Sequence, residues 1–463
     1  MHSTPRLLAA ALLAVALIAG SCSSDDDASP AEPSPNDTSG NTLRVPEDHD
    51  TIQGAVDAAS PGDLILIAPG TYEGAVDVET EDLTIRGLDR NEVILEGGFD
   101  LENAIRVLAD GVAVENMTAQ NYTTNGFFWT GVNGYRGSYL TASRNGDYGV
   151  YAFDSTHGQI EHVFASGSPD AGVYIGQCYP CDAVIDDVIS EHNGLGYSGT
   201  NSGGNLLIVN STFRYNRAGI VPNSGSYELC YPERQTTIVG NIVHDNMQPD
   251  TPAIDNALLA MGNGILVAGG VRNTIERNLV YDHERVGIGL VPFPEADAND
   301  VVPEESTWDT PCADVRDDPP AVDDPDALAS VLWDAVQNTV QGNDVSGSGL
   351  ADIAVGSLQP DLADLDNCFS GNTFATTAPA DLEALAPCEG APTSDAWGVG
   401  TLDLGALVGA ERPPSVDYQT APTPDAPDQP NMPDAATAPA RPATDAPFHV
   451  DLDAIALPAR PNG

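Results

Sequence analysis

Charged and tyrosine side chains recur shortly before a repeated glycine in the middle of the chain. Two residues before it stand Asp147, Asp170, Arg217 and Arg285. Four residues before it come three further ionisable or aromatic residues: His192, Tyr215 and His283. Arginine pairs with carboxylates, and histidine exchanges protons near neutral pH. The catalytic candidates are therefore His192, Arg217, His283 and Arg285, acting on an acidic ligand; the alternative is that each is an ordinary turn residue.

Aromatic residues recur two positions after the same glycine. Phe128, Tyr151 and Tyr174 stand there in successive repeats. A row of exposed rings suits stacking on sugar rings, whereas rings that stack on each other would only stabilise the surface. Both readings stay open. The predicted binding residues combine this row with the neighbouring polar positions: Tyr151, Tyr174, Asp147, Asp170 and Tyr215.

A glycine followed by alternating apolar residues positions all of these side chains. It recurs every 23 or 24 residues from residue 126 to 219 and returns at 264 and 287. A repeat in this range indicates a stacked solenoid. Alternation with a period of two indicates a strand with one buried face. Asn-x-Val segments that begin at Asn241, Asn278 and Asn343 mark a second recurring element, whose amides suit a ladder between coils.

Residues 51–87 carry a more specific signal. Ile52, Ala55 and Val56 share one apolar helical face, and Asp50 is placed to cap the start of that helix. A PGD turn and an APGTY segment follow. This order resembles the N-terminal region of right-handed parallel β-helix proteins of the pectin-lyase-like superfamily. The predicted fold is all-β, a right-handed parallel β-helix solenoid with an N-terminal helical cap, over residues 42–377.

The resemblance implies a function in extracytoplasmic carbohydrate chemistry. Uronic-acid lyases and epimerases of this fold bind calcium through carboxylates and abstract a proton beside the sugar acid. We expect a protein that binds and processes an acidic polysaccharide as a lyase or epimerase. No catalytic motif of a known lyase, pectin esterase or polygalacturonase is present, so a non-enzymatic envelope or adhesion module is an alternative. A second alternative is a copper-delivery accessory protein, since some similar β-helix proteins help deliver copper to nitrous oxide reductase.

The repeat interval breaks in two places. Extra residues fall within 222–235 and 247–261, and an acidic insert spans 293–337, after which Asp352 takes the glycine position. Long loops in a regular solenoid are often functional. We expect these three segments to form walls on opposite edges of the glycine strands. For metals, carboxylates favour Ca²⁺ at Asp245, Asp250 and Asp255 or in the insert, whereas copper would need clustered Met, Cys or His.

The two ends of the chain and its composition predict where the protein is located. Residues 1–22 read as a lipoprotein-type signal with Cys22 as the lipidated residue, and an ordinary cleaved signal is the alternative. Residues 23–41 read as a tether, 378–411 as a C-terminal cap and 412–463 as a Pro/Ala/Asp-rich disordered tail. The net charge of −52 and the absence of lysine exclude nucleic acid as a partner. We expect a monomer outside the cytoplasm that meets the membrane only through its lipid.

Six further cysteines suggest disulfides in an exported chain. The pairing we expect is Cys178 with Cys181, Cys230 with Cys312 and Cys368 with Cys388. The single CxxC segment would also suit half a zinc site or a redox pair. Without a second CxxC, the structural disulfide is favoured.

Overall fold

Each repeat of the sequence folds into one coil of a parallel β-helix. The computed structural model describes residues 40–315, 328–409, 411–443 and 450–461. Within these residues the first strands are β1 (Thr42–Val45), β2 (Leu64–Ile67), β3 (Gly70–Glu73), β4 (Val76–Val78), β5 (Thr84–Gly87), β6 (Val93–Glu96), β7 (Asn103–Val107), β8 (Val112–Gln120), β9 (Asn125–Thr130), β10 (Asn133–Ser143) and β11 (Tyr148–Phe153).

The middle strands are β12 (Thr156–Glu161), β13 (Phe164–Ser166), β14 (Ala171–Gly176), β15 (Ala183–Asp186), β16 (Ile189–Glu191), β17 (Leu195–Thr200), β18 (Gly203–Val209), β19 (Thr212–Arg214), β20 (Ala218–Asn223), β21 (Arg234–Val239) and β22 (Ile242–His244). The last strands are β23 (Ile265–Ala268), β24 (Thr274–Glu276), β25 (Leu279–Tyr281), β26 (Val286–Val291), β27 (Phe293–Ala298), β28 (Leu328–Trp333), β29 (Thr339–Gln341), β30 (Asp344–Ser346), β31 (Ala351–Val355), β32 (Cys368–Ser370) and β33 (Thr377–Ala378). The α-helices are α1 (Ile52–Ala58), α2 (Asp255–Ala260), α3 (Cys312–Val315), α4 (Leu382–Leu385) and α5 (Leu404–Gly409).

The strands stack in parallel between successive coils. One sheet, which we call the floor sheet, runs in the order β4, β7, β9, β11, β14, β17, β20, β23, β26, β31, β33. The other two sides of the coils form a second, 20-stranded sheet. Inward residues of all sides fill one apolar core. The long repeat intervals are bridged as expected, since Ile220 pairs with Ile265 and Ile288 pairs with Ile353.

The N-terminal helix α1 covers the first coil. Ile52, Ala55 and Val56 are its buried residues, which agrees with the apolar face read from the sequence. The cap is Thr51 rather than Asp50, because the Thr51 hydroxyl accepts the hydrogen bond from the Gly54 amide. The helix closes an end of the solenoid that would otherwise expose unpaired strand groups.

Asparagine ladders connect the coils inside their turns. The backbone amide of Asn241 donates to Oδ1 of Asn278, and the amide of Asn278 donates to Oδ1 of Asn343. The ladder continues to Asn372, whose amide donates to Glu383 in the C-terminal cap. Each side chain thus satisfies a buried backbone group of the preceding coil, as the Asn-x-Val repeats predicted.

The C-terminal segment differs from the expectation. The composition predicts a disordered tail from residue 412, but residues 411–443, the C-terminal strap, lie along the β-helix. Its carbonyls accept hydrogen bonds from arginines of the coils: Arg217 to Pro413 and Pro414, Arg144 to Thr423, Arg90 to Pro430 and Arg86 to Ala438 and Pro439. Residues 450–461 follow on the second sheet, where Val450, Leu452 and Ile455 pack on Val184 and Leu207. Although the strap has few apolar residues, hydrogen bonds from arginine side chains to its backbone carbonyls hold it on the β-helix.

Several predictions about the ends fall outside the described residues. These are the signal sequence, the lipidation of Cys22, nearly all of the 23–41 tether, and the part of the acidic insert between residues 316 and 327. In the part of the chain that is described, no helix combines the length and the apolar character required to cross a bilayer.

The ladder gives a stability prediction. Asn278→Ala should lower the free energy of unfolding by about 2–4 kcal/mol, since it leaves the Asn241 amide and other buried polar groups without partners. Urea unfolding followed by circular dichroism measures this. Asn256→Ala, at an exposed helix position, is the control and should change stability by less than about 0.5 kcal/mol. Equal effects of the two substitutions would contradict the ladder's role.

Candidate functional site

The outer face of the floor sheet carries the predicted aromatic column. Phe128, Tyr151, Tyr174 and Ser198 occupy equivalent positions of successive strands. Phe128 and Tyr151 stack with ring centroids 4.7 Å apart, and Tyr151 meets Tyr174 edge to face at 4.9 Å. Tyr174 is buried, and Tyr151 is half-buried. The rings therefore stack largely on each other rather than standing free in a row.

A cavity of about 370 Å³ lies on the same face, beside these rings. Its floor includes Leu195, Ser198, Val221 and Leu266. Its walls come from segments that break the repeat, with the following lining residues: Tyr227 and Glu228 from the 222–235 loop, Asn256 and Leu259 from α2, Phe293 and Leu332 from the β27–β28 hairpin, and Leu404 and Leu407 from α5. The three loops thus form the walls that their positions in the sequence predicted. Helix α5 adds a fourth.

Three acids form what we call the acid cluster: Asp147, Asp170 and Glu228. Asp170 and Glu228 line the cavity, and Asp147 lies beside Asp170 in the neighbouring coil, where its backbone carbonyl accepts from the Asp170 amide at 3.1 Å. The Tyr148 hydroxyl donates to Oδ2 of Asp170. The Tyr174 hydroxyl donates to Oε2 of Glu228 at 2.9 Å. Asp147 precedes β11, and Asp170 precedes β14 at the equivalent position. Asp147 and Asp170 lie in one column because they are one 23-residue repeat apart, whereas Glu228 belongs to the 222–235 loop.

Burial raises the pKa values of these three acids above those of ordinary surface carboxylates. Desolvation, together with the negative charges of Asp147 and Glu228 and against the opposing effect of the Tyr148 hydrogen bond, raises the pKa of Asp170 to about 8. Desolvation raises the pKa of Glu228 to about 7 and that of Asp147 to about 6. At neutral pH Asp170 therefore holds its proton, and Asp147 is ionised. Such a division of protonation states is typical of acid–base pairs.

The predicted arginines lie elsewhere and have other partners. The Arg217 guanidinium is buried and donates to the carbonyls of Pro249, Thr251, Pro413 and Pro414. Arg285 is also buried, and its guanidinium donates to the carbonyl of Leu407. Both arginines hold the chain that leads from α5 into the strap. This geometry does not fit the uronate-pairing role that the sequence suggested for them.

The predicted histidines are also apart from the acid cluster. His283 is fully buried, with Nε2 3.3 Å from Nδ2 of Asn246, and desolvation lowers its pKa to about 3. It ends an asparagine ladder as a neutral ring. His192 stacks on Tyr215 at 5.7 Å on an outer turn, and desolvation lowers its pKa. Tyr215, a predicted binding residue, belongs to this outer turn and not to the cavity.

The metal candidates are not assembled into a site. Asp245 accepts from the His244 ring, whereas Asp250 and Asp255 belong to the segment that leads into α2. Among the described residues, no group of three or more His, Cys, Asp or Glu side chains is arranged to hold a metal ion.

One disulfide joins two of the segments that form walls of the cavity. Cys230 of the 222–235 loop is bonded to Cys312 of the insert, Cys178 to Cys181 and Cys368 to Cys388. This is the pairing expected from the sequence, and the CxxC cysteines form a bridge. Arg234 lies over the Tyr179 ring with its guanidinium carbon 3.8 Å from the ring centroid. The loop that supplies Glu228 is thus held on the C-terminal side of that residue.

Sequence reasoning missed Tyr148, Tyr227 and Glu228. Tyr148 directly follows Asp147 in the glycine repeat, so its position was visible but its role as a hydrogen-bond donor was not. Tyr227 and Glu228 stand in the extra residues of 222–235. The interruption of the repeat marked this loop, but no periodicity could place its side chains.

Comparison with known proteins agrees with this architecture. The family model described as "Right handed beta helix region" matches residues 125–292. These residues supply the coils from β9 to β26 and most of the floor of the cavity. The chain folds as a right-handed parallel β-helix. No curated protein matches its sequence.

Solved structures with a similar course of the chain include carbohydrate-active proteins. The A-module of the Azotobacter vinelandii mannuronan C-5 epimerase AlgE4 is 14% identical with a TM-score of 0.47, over 71% of this chain and 92% of that chain. The periplasmic alginate epimerase AlgG is 12% identical with a TM-score of 0.41, over 73% and 83%. The alginate lyase from Paenibacillus sp. str. FPU-7 is 14% identical with a TM-score of 0.34, over 73% and 96%.

The burial of Asp170 predicts a pH-dependent stability. An aspartate in the unfolded chain ionises near pH 3.9, whereas Asp170 in the folded β-helix keeps its proton up to about pH 8. Ionisation between these values favours the unfolded state, so this contribution to stability falls as the pH rises through that window. Asp170→Asn removes the ionisable group. Its melting temperature should exceed that of the wild type by several degrees at pH 9 but not at pH 4.

Differential scanning fluorimetry at both pH values checks this difference. Asp100→Asn, at an exposed aspartate, is the control and should leave the melting temperature unchanged at either pH. A melting-temperature difference between Asp170→Asn and wild type that is the same at pH 4 and pH 9 would rule out a raised pKa for Asp170.

Proposed function

We propose that this β-helix protein hydrolyses glycosidic bonds in a saccharide bound on the floor sheet. The observation that carries the proposal is a protonated Asp170 in the lining of a walled cavity, with the ionised Asp147 next to it in the neighbouring coil. A general acid and a general base with separated pKa values are what glycoside hydrolysis requires. Ser198, Thr200 and Asn223 line the adjoining stretch of the cavity and offer hydrogen-bonding groups to sugar hydroxyls.

Each acid has a defined part in the proposed reaction. Asp170 donates its proton to the leaving glycosidic oxygen as the bond from that oxygen to the anomeric carbon breaks. Asp147 accepts a proton from a water molecule, whose oxygen forms the new bond to the anomeric carbon. Asp170 is then ionised and Asp147 protonated, and exchange with solvent restores both. Glu228 is a positioning residue, since its charge helps to keep the proton on Asp170.

The electrostatics favour a neutral saccharide over the uronic-acid polymer suggested by the sequence. Among the described residues that line the cavity there is no arginine or histidine to balance a sugar carboxylate. The acid cluster and the net charge of −52 would repel such a ligand. Hydrolysis therefore fits the geometry better than the lyase or epimerase chemistry, which needs a cation beside the uronate.

The proposal includes a location outside the cytoplasm. Three disulfides support a site outside the cytoplasm, where such bonds persist. A lipid anchor at Cys22, a monomeric state and a polysaccharide as the natural partner are predictions that accompany it.

The proposed roles predict a bell-shaped pH dependence of activity. Turnover should decline below about pH 6, where Asp147 becomes protonated, and above about pH 8, where Asp170 loses its proton. Glu228→Gln removes a negative neighbour, which lowers the pKa of Asp170, so the alkaline limb should shift to lower pH. Asp170→Asn should reduce kcat by about 10²–10⁴-fold.

The assay measures new reducing ends from a panel of neutral and uronic-acid polysaccharides, with absorbance of unsaturated products recorded in parallel. Asp100→Asn is the matched control and should keep the wild-type profile. Unsaturated products from a uronic-acid polymer would refute hydrolysis in favour of a lyase. An Asp170→Asn protein with wild-type kcat would refute the role of Asp170.

A further inference from the structure

The cavity changes its chemical character along the floor sheet. Over β14, β17 and β20 its lining includes the polar residues Asp170, Ser198, Thr200 and Asn223 together with Leu195 and Val221, with Glu228 from the 222–235 loop. Over β23 and β26 the lining is mainly aliphatic and aromatic, with Asn256 and Asn263 as polar residues beside a larger apolar set: Leu266, Ala268, Val291, Phe293, Leu332, Leu404 and Leu407. Adjacent strands are about 4.8 Å apart, so the apolar part begins roughly 10–15 Å from the acid cluster.

The apolar part of the cavity also has an exposed apolar rim. Leu358 and Val408 line the cavity, yet 69% of Leu358 and 45% of Val408 are exposed. Large apolar side chains held at the surface beside a cavity mark a place where an apolar ligand enters or lies. The nearby Leu266 and Leu407 are buried, so the apolar surface continues from the rim to the floor.

The apolar part of the cavity does not suit a sugar ring, because its walls offer few hydrogen-bond partners for hydroxyl groups. A hydroxyl that leaves water for a leucine-lined wall without a new hydrogen bond loses roughly 1–3 kcal/mol. An aliphatic chain in the same place gains about 0.8 kcal/mol for each buried methylene. The polar stretch near the acid cluster and the apolar stretch beyond it thus call for different parts of one ligand.

We propose that the substrate is a glycolipid-like saccharide, whose alkyl or acyl chain lies against Leu266, Val291 and Leu407 while its sugar reaches the acid cluster. This inference rests on the proposed hydrolytic function, because it assigns the second half of the same cavity. The polar stretch over Ser198 and Asn223 holds the sugar, and the rim at Leu358 and Val408 is the entrance for the chain.

Binding of an uncharged fluorescent probe, N-phenyl-1-naphthylamine, tests the apolar part without any turnover. Octyl glucoside, used below its micelle-forming concentration, should displace the probe at a concentration at least about tenfold lower than methyl glucoside, which carries the same sugar. Val408→Asp and Leu266→Ser should each weaken probe binding at least about fivefold.

Two matched variants guard against general effects of the substitutions. Val399→Asp changes a valine that is 59% exposed and lies outside the cavity lining, and it should bind the probe like wild type. Leu207→Ser changes a buried leucine on the second sheet, and it should also keep probe binding if the protein folds. Val408→Asp is the decisive variant because its exposed position makes folding insensitive to the change.

The outcomes separate this inference from the proposed function. Equal displacement by octyl and methyl glucoside, or wild-type probe binding by Val408→Asp, overturns the inference even if a polysaccharide is hydrolysed. A preference for octyl glucoside that is lost in Val408→Asp supports it. The same preference with no turnover of any saccharide or alkyl glycoside would overturn the hydrolytic function and leave an apolar binding site. Asp170→Asn should reduce turnover by the same factor of about 10²–10⁴ and keep probe binding.

Discussion

The parallel hydrogen-bonded register between successive coils is the constraint on which the rest of this structure depends. Because equivalent residues of neighbouring coils face each other across about 4.8 Å, any residue type that recurs with the repeat forms a column. Columns of apolar residues become the core, and columns of asparagine become the ladders. The column of positions before the glycine brings Asp147 and Asp170 onto the same edge of the floor sheet.

The site arises where this regularity stops. A pure column would expose its acids to water and leave their pKa values near those of surface carboxylates. The 222–235 loop, α2, the β27–β28 hairpin and α5 enclose the column at Asp170, and the loop adds Glu228 as a third acid. Desolvation then separates the protonation states of Asp170 and Asp147. The repeat sets the positions of the two aspartates, and the interruptions of the repeat set their chemistry.

The fold could be predicted from the sequence because its signals are local and repeated. The glycine interval, the period-two alternation and the face of α1 each follow from neighbouring residues, and the loops were located by the excess length between repeats. The site could be predicted only in part. Asp147, Asp170, Tyr151 and Tyr174 follow the repeat, but Glu228 depends on the path of a loop. Arg217 and Arg285 looked free because their partners are backbone carbonyls, several of them contributed by residues more than 100 positions further along the chain. No composition or spacing encodes such partners.

The C-terminal strap distinguishes this solenoid from an ordinary repeat protein, in which only neighbouring coils are in contact. In an ordinary repeat protein each coil touches only its neighbours, so stability is a sum of local terms and the ends can fray independently of the middle. Here one continuous segment contacts Arg217, Arg144, Arg90 and Arg86 in turn, from the later coils to the early ones. These contacts join coils that share no interface of their own. The strap thereby supplies the long-range coupling that a one-dimensional stack lacks, so that loss of an early coil and loss of a late one become a single cooperative event.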